Sequence, residues 1–203
     1  MRRIFVAVPL AEDVRSQVAG LVERVRLRPE ARGPGGGPER RDPLDVRWVR
    51  MDGLHLTLRF LGPVLQDRIP AVEAAIHEAA GSGDPFEIRI DGAGGFPSAA
   101  RPRALWLGVT DGAEALQRLA RRLDDALAGG GWPIEERPFR AHLTLARADG
   151  VKSGPDAARR LMAAADGFSA TWQADRLVLF ESHTGAGPAR YEPLAEASLG
   201  RDQ

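Results

Sequence analysis

The sequence predicts an α+β fold: two pseudo-symmetric lobes, each a mainly antiparallel sheet with helices packed on its outer face, and a central cleft carrying two His-x-Thr strands. Three observations predict it. Runs with period-two alternation recur at hairpin-scale spacing, which favours antiparallel strands over a doubly wound parallel sheet. Stretches with apolar residues at helical spacing fall between those runs. One short pattern, His-x-Thr, is written twice, at His55–Thr57 and His142–Thr144, each time after a predicted helix. The whole chain, 1–203, reads as one bilobal domain.

Taken in order, residues 2–9 alternate Ile4, Val6 and Val8 with Phe5 and Ala7, a strand apolar on both faces. From about Ala11, Val14, Val18, Leu21, Val22 and Val25 recur at helical spacing behind Glu12 and Asp13, whose charge suits a first turn. Arg28 to Pro43 contains Gly-Pro-Gly-Gly-Gly-Pro and cannot build a core, so it reads as a flexible loop. It lacks the Lys-Ser/Thr ending or G-x-G-x-x-G spacing of a phosphate cradle. Val46–Val49 is a short strand that turns through Asp52-Gly53 into the first motif strand, which Gly62-Pro63 should end.

A second helix is expected over about Gln66 to Ala80 and a strand over Phe86–Asp91. Gly92–Pro97 reads as a turn-rich connection. The apolar run Ala104–Val109 should be a central strand, followed by a helix with Leu116, Leu119, Ala120, Leu123 and Leu127 on one stripe. Gly129-Gly130-Gly131 ends that helix. After the second motif come a short helix (157–165) and strands over 168–172, 176–182 and 191–199, the last two joined as a hairpin through Thr184–Pro188.

Composition narrows the function. The 28 Lys and Arg balance 28 Asp and Glu, so no global field attracts a polyanion and any such contact needs a local cluster. Cysteine is absent, which excludes disulfides, thiolate catalysis and Cys-based zinc sites. The apolar run at the N-terminus is too short for a signal peptide, and no stretch is long enough to span a bilayer, so no membrane contact and a cytoplasmic location are expected.

On an extended strand successive side chains alternate between faces. His55 and Thr57 then share one face, with Arg59 beyond them, while Leu54, Leu56, Leu58 and Phe60 point into the core. In the second copy His142 and Thr144 share a face, and Leu143 and Leu145 take the core side. A lone strand histidine is most often structural, and a two-histidine metal site lacks further ligands at familiar spacing. His77 and His183 have no partner motif. Trp48, Trp106 and Trp172 read as core, whereas Phe60, Phe96 and Trp132 stay open as stacking surfaces for a base.

The pair His55-Leu-Thr57-Leu and His142-Leu-Thr144-Leu resembles the two H-x-T-x motifs of the 2H phosphoesterase superfamily. More narrowly the chain is similar to the RNA 2′,3′-cyclic phosphodiesterases, formerly called 2′-5′ RNA ligases. Matching stretches include Arg3–Pro9, Val49–Gly62, Gly94–Pro97, Arg101–Gly108, Pro138–Arg147, and Leu179–Ser182 with Tyr191 after it. The glycine-rich stretch 28–43 departs from that pattern.

The resemblance implies hydrolysis of RNA-terminal or nucleotide 2′,3′-cyclic phosphates to 2′-phosphomonoesters, with no metal and no cofactor. Such a reaction needs a base to deprotonate water, an acid to protonate the leaving ribose oxygen, and donors for the non-bridging oxygens. Two imidazoles suit the proton transfers because their ordinary pKa of roughly 6.5 allows one neutral and one charged ring. By resemblance His55 is the general acid and His142 the general base, and Thr57, Thr144 and Arg147 bind phosphate. Strict alternation puts Arg147 on the wrong face, so the strand must end, twist or bulge for it to reach the cleft. Arg59 and Arg140 are weaker candidates by parity. The implied partners are RNA ends or small nucleotides, and a monomer is expected. The reverse reaction, 2′-5′ ligation of RNA halves, and an RNA-end binding module are the competing readings.

Overall fold

The structure, a computed structural model, describes residues 1–26, 46–185 and 187–200. The predicted loop at 28–43 lies outside the described residues. Nine strands and four α-helices occur among those described, with every strand pairing antiparallel. The strands are β1 (Arg2–Pro9), β2 (Arg47–Trp48), β3 (His55–Val64), β4 (Phe86–Phe96), β5 (Ala104–Val109), β6 (His142–Arg147), β7 (Ser169–Ala174), β8 (Arg176–His183) and β9 (Arg190–Ser198). The helices are α1 (Glu12–Arg26), α2 (Ile69–Gly81), α3 (Ala113–Gly129) and α4 (Gly154–Ala164).

Two sheets result. The first has the order β3-β1-β8-β9 and the second β2-β6-β5-β4-β7, so the two motif strands β3 and β6 lie in different sheets. Helices α2 and α3 pack on the first sheet, and α1 and α4 on the second. Two helices cross between sheets: α1 leaves β1 but lies against β7 and α4, and α3 leaves β5 but lies against β3 and α2. These exchanges tie the sheets together through a shared apolar core.

That core follows from the periodicities. The buried stripe of α1 is Val14, Val18, Leu21, Val22 and Val25, with Glu12 and Asp13 at its positive end and Arg24 and Arg26 at its negative end, a charge order the helix dipole favours. The stripe of α3 is the one predicted. In β1, Ile4, Val6 and Val8 join the helix-side core, while Phe5 and Ala7 are buried beneath the opposite face. That opposite face is the floor of a cleft.

Two boundary expectations are corrected. Gly62-Pro63 does not end β3, which continues to Val64. Pro63 is tolerated because β3 is an edge strand, where a missing N–H breaks no ladder. Gly92–Phe96 is not a turn but the second half of β4, which bulges at Gly92 and pairs with β5. Gly94 is needed there: a Cβ would lie 2.4 Å from the Trp106 ring that packs across it.

Candidate active site

A cleft of about 980 Å³ opens between the sheets, and its lining includes His55, Thr57, His142, Thr144 and Arg147. All five residues singled out from the motifs are therefore brought together, three from β6 and two from β3.

The two histidines are held alike. His55 Nδ1 lies 2.7 Å from the Gly53 carbonyl oxygen, and His142 Nδ1 lies 2.7 Å from the Arg140 carbonyl oxygen. A carbonyl only accepts, so each Nδ1 carries the hydrogen and donates it. Nε2 is then the nitrogen left for substrate chemistry in both rings. The partner is the carbonyl two residues upstream each time, so the short motif sets the tautomer of its own histidine.

Their surroundings differ. His55 sits in an aromatic nest, its ring 4.6 Å from Phe5, 5.8 Å from Phe180 and edge-on to Tyr191 at 5.0 Å. Burial there pushes its pKa down to about 4, against a smaller upward pull from the Gly53 carbonyl. His142 meets Phe96 edge-on at 4.9 Å. Its pKa is also lowered, first by burial and further by the Arg147 charge, with the Arg140 carbonyl opposing. Both shifts favour the neutral imidazole.

Arg147 reaches the cleft through a β-bulge. Along the β5–β6 ladder Trp106 pairs with Thr144 and Leu105 with Ala146, so Leu145 is the extra residue. One inserted residue shifts the alternation, burying both Leu145 and Ala146 and returning Arg147 to the face of His142 and Thr144. Its charge acts on His142 in one sheet and on Tyr191 in the other.

The same bulge occurs in β3. Ala7 pairs with Thr57 and Val6 with Arg59, which leaves Leu58 as the extra residue. This overturns two parity assignments. Arg59 leaves the histidine face for the helix side: it is buried at 8% exposure, with ion pairs to Asp124 at 3.3 Å and Glu135 at 3.1 Å, and these three residues border the cleft from that side. Phe60 does not enter the core: it is 62% exposed and lines the cleft. A second irregularity at Leu61 follows it.

The other candidates also find places. Arg140 lines the cleft with its guanidinium 6.0 Å from the Phe96 ring centroid. Trp132 is covered by Arg68 at 4.0 Å and is not part of the lining. Of the tryptophans expected in the core, Trp172 is buried, but Trp48 is half-buried along the cleft and Trp106 half-buried beside Phe96. His77 is exposed on α2, and His183 lies 3.2 Å from Glu192 and is not part of the lining. Sequence reasoning missed three contributors: Tyr191, Gly53 and Arg47. Tyr191, the only tyrosine, packs so close to Gly53 that a Cβ there would meet its ring at 2.8 Å. That packing helps fix the carbonyl that orients His55. Tyr191's own hydroxyl is pushed up by burial, with Arg147 opposing.

Two antiparallel sheets, each presenting one His-x-Thr strand to a shared cleft, define a two-histidine phosphoesterase architecture. The family model of the 2′-5′ RNA ligase superfamily matches residues 13–186, and the chain belongs to that family. An RNA 2′,3′-cyclic phosphodiesterase of Thermotoga maritima is 29% identical over 97% of this chain and 95% of its own length. One from Escherichia coli is 29% identical over 98% and 97%. One from Archaeoglobus fulgidus is 32% identical over 71% of this chain and 72% of its own. Among solved structures, Escherichia coli LigT complexed with 3′-AMP superposes with a TM-score of 0.71, at 27% identity and 98% coverage of both chains. No helix among the described residues is long and apolar enough to cross a membrane.

Proposed function

We propose that this protein hydrolyses 2′,3′-cyclic phosphates on RNA ends or small nucleotides to 2′-phosphomonoesters, with His55 as general acid and His142 as general base. The observation that carries this reading is the matched pair of imidazoles, each with Nδ1 tied to a backbone carbonyl and Nε2 left to the cleft. A base must be neutral to accept a proton, and Arg147 beside His142 favours its neutral form. An imidazole acid must be charged, and among the described residues no cation opposes that charge on His55. A phosphodiester anion entering the cleft favours the imidazolium, so substrate supplies the charge that protonates the acid.

In the reaction, His142 Nε2 takes a proton from water as its oxygen attacks phosphorus. The bond to the ribose 3′ oxygen breaks, and His55 Nε2–H donates to that oxygen. Thr57 and Thr144 donate hydroxyl hydrogen bonds to non-bridging oxygens, and Arg147 balances their charge. The polarity of the two roles and the 2′ product follow the family resemblance, and the RNA 2′,3′-cyclic phosphodiesterase names of the relatives support the substrate class.

Incubation with a 2′,3′-cyclic nucleotide, with excess chelator present, tests the reading. The expected result is a 2′-phosphomonoester at an undiminished rate. A 3′ product would reverse the leaving oxygen, and loss of activity with chelator would remove the metal-free mechanism.

A further inference from the structure

Arg47 lines the cleft but takes no part in the proposed reaction. It is a Cα partner of Arg147 across the β2–β6 ladder, so the two side chains leave the same face, and both line the cleft. Like charges directly opposed on neighbouring strands repel and weaken a sheet. The repulsion is not offset: among the described residues neither arginine has an ion pair, whereas Arg2, Arg50, Arg59, Arg89, Arg137 and Arg176 each have at least one. Arg47 is also exposed, on an edge strand. A repelling, unneutralised pair at the rim of a phosphate cleft is a site for a second anion.

We propose that Arg47 forms a second phosphate subsite, taking the phosphate on the 5′ side of the terminal nucleotide while Arg147 holds the reacting cyclic phosphate. Opposed Cβ atoms stand about 5 Å apart, and two long guanidinium arms can diverge from there to neighbouring phosphates of one nucleotide unit. The subsite makes the protein favour an RNA 3′ end, or a cyclic nucleotide bearing a 5′-phosphate, over a cyclic nucleotide without one. This rests on the proposed function for the reacting phosphate only.

The test compares wild type, Arg47→Gln and Arg47→Lys on three substrates: adenosine 2′,3′-cyclic phosphate, its 5′-phosphorylated form, and a tetraribonucleotide ending in a 2′,3′-cyclic phosphate. Wild type should prefer the two that carry the extra phosphate. Arg47→Gln should lower that preference about fivefold or more, with Arg47→Lys in between, as loss of one charge-assisted contact predicts. The salt dependence of binding the tetranucleotide should fall by about 0.7 in log–log slope, one phosphate contact's worth for a single strand. Thermal stability without RNA should hold or rise, because among the described residues no ion pair is lost and a repulsion is relieved. Equal losses on all three substrates, or a preference that survives in Arg47→Gln, would overturn the subsite. Should wild type hydrolyse none of them, the proposed function fails. Fluorescence anisotropy with the tetranucleotide then decides: weaker binding by Arg47→Gln keeps the subsite, and unchanged binding removes it.

Discussion

Phe60 and Arg147 occupy the same place in two related strands. Each lies five residues after its motif histidine, and each is returned to the cleft face by an extra leucine, Leu58 in β3 and Leu145 in β6. The cleft therefore has one aromatic wall and one cationic wall built by the same backbone device. Phosphate belongs at the cationic wall and a nucleobase can stack on the aromatic one.

The two walls should fail differently. Arg147→Ala is expected to lower kcat/KM by about 100-fold, the scale of one lost charge-stabilising contact at a reacting phosphate. Arg147→Lys should recover only part of that, since a point charge cannot reproduce a planar fork. Phe60→Ala should raise KM for nucleotides with little change in kcat, because stacking is shared by ground and transition states. Steady-state kinetics on one cyclic nucleotide separates these outcomes. A kcat loss at Phe60 as large as that at Arg147 would contradict the division.

The faces of β3 and β6 were legible only as far as their period held. His55, Thr57, His142 and Thr144 follow strict alternation, and the sequence places them correctly in one cleft. The bulges carry no residue signature, since leucine fills both extra positions, and so parity misplaces Arg59 and Phe60 just beyond them. Gly92–Phe96 looked like a turn because glycine usually marks one. Here Gly94 instead makes room for Trp106 within a strand, a requirement set by a neighbour distant in sequence. Tyr191 was hidden for the same reason: its partners Gly53 and His55 lie far away along the chain. The exchange of α1 and α3 between sheets is likewise a tertiary fact with no local signal.

Gly53 should matter beyond its size. Adding a Cβ would force the Tyr191 ring away and disturb the carbonyl that holds His55 Nδ1. Gly53→Ala is expected to lower kcat by about tenfold, the effect of a misoriented proton-transfer group, while the fold stays intact. Combining it with Tyr191→Leu, which frees the space, should restore part of the rate. Circular dichroism and kinetics on the three variants check this, and a double variant no faster than Gly53→Ala would exclude the steric route.

Through His55, acid should weaken the fold and alkali should weaken catalysis. Its folded pKa of about 4 lies below the roughly 6.5 of an unfolded histidine, so the unfolded chain binds more protons between those values. Stability therefore rises with pH across that window and is lost as pH falls from about 6.5 to about 4, by at most about 3 kcal/mol. His55→Gln should flatten that part of a denaturation-against-pH curve. For catalysis, kcat/KM reports the free protein and should fall at pH values above about 6.5 as the small protonated fraction of His55 shrinks. The limb in kcat should sit at higher pH, because bound phosphate favours the imidazolium. A kcat/KM profile flat between about pH 5 and 9 would rule out the two-histidine pair.

Arg59 is a residue the resemblance left without a role, and its removal should act on stability first. Its guanidinium pairs with Asp124 on α3 and Glu135 in the following loop, and also donates to the Pro133 carbonyl oxygen. It thus fastens the segment that leads through Phe139 and Arg140 into His142. Burial already pushes the Asp124 pKa up, with Arg59 as the opposing influence. Arg59→Ala would leave that carboxylate without its counter-charge, at a cost of about 3 kcal/mol, the lower end for a broken buried pair. Arg59→Met with Asp124→Leu removes both charges and fills the space, so chemical denaturation should show most of the loss recovered. If the double replacement is as unstable as Arg59→Ala, the ion pair is not what Arg59 contributes, and the Pro133 contact to the loop becomes its main role.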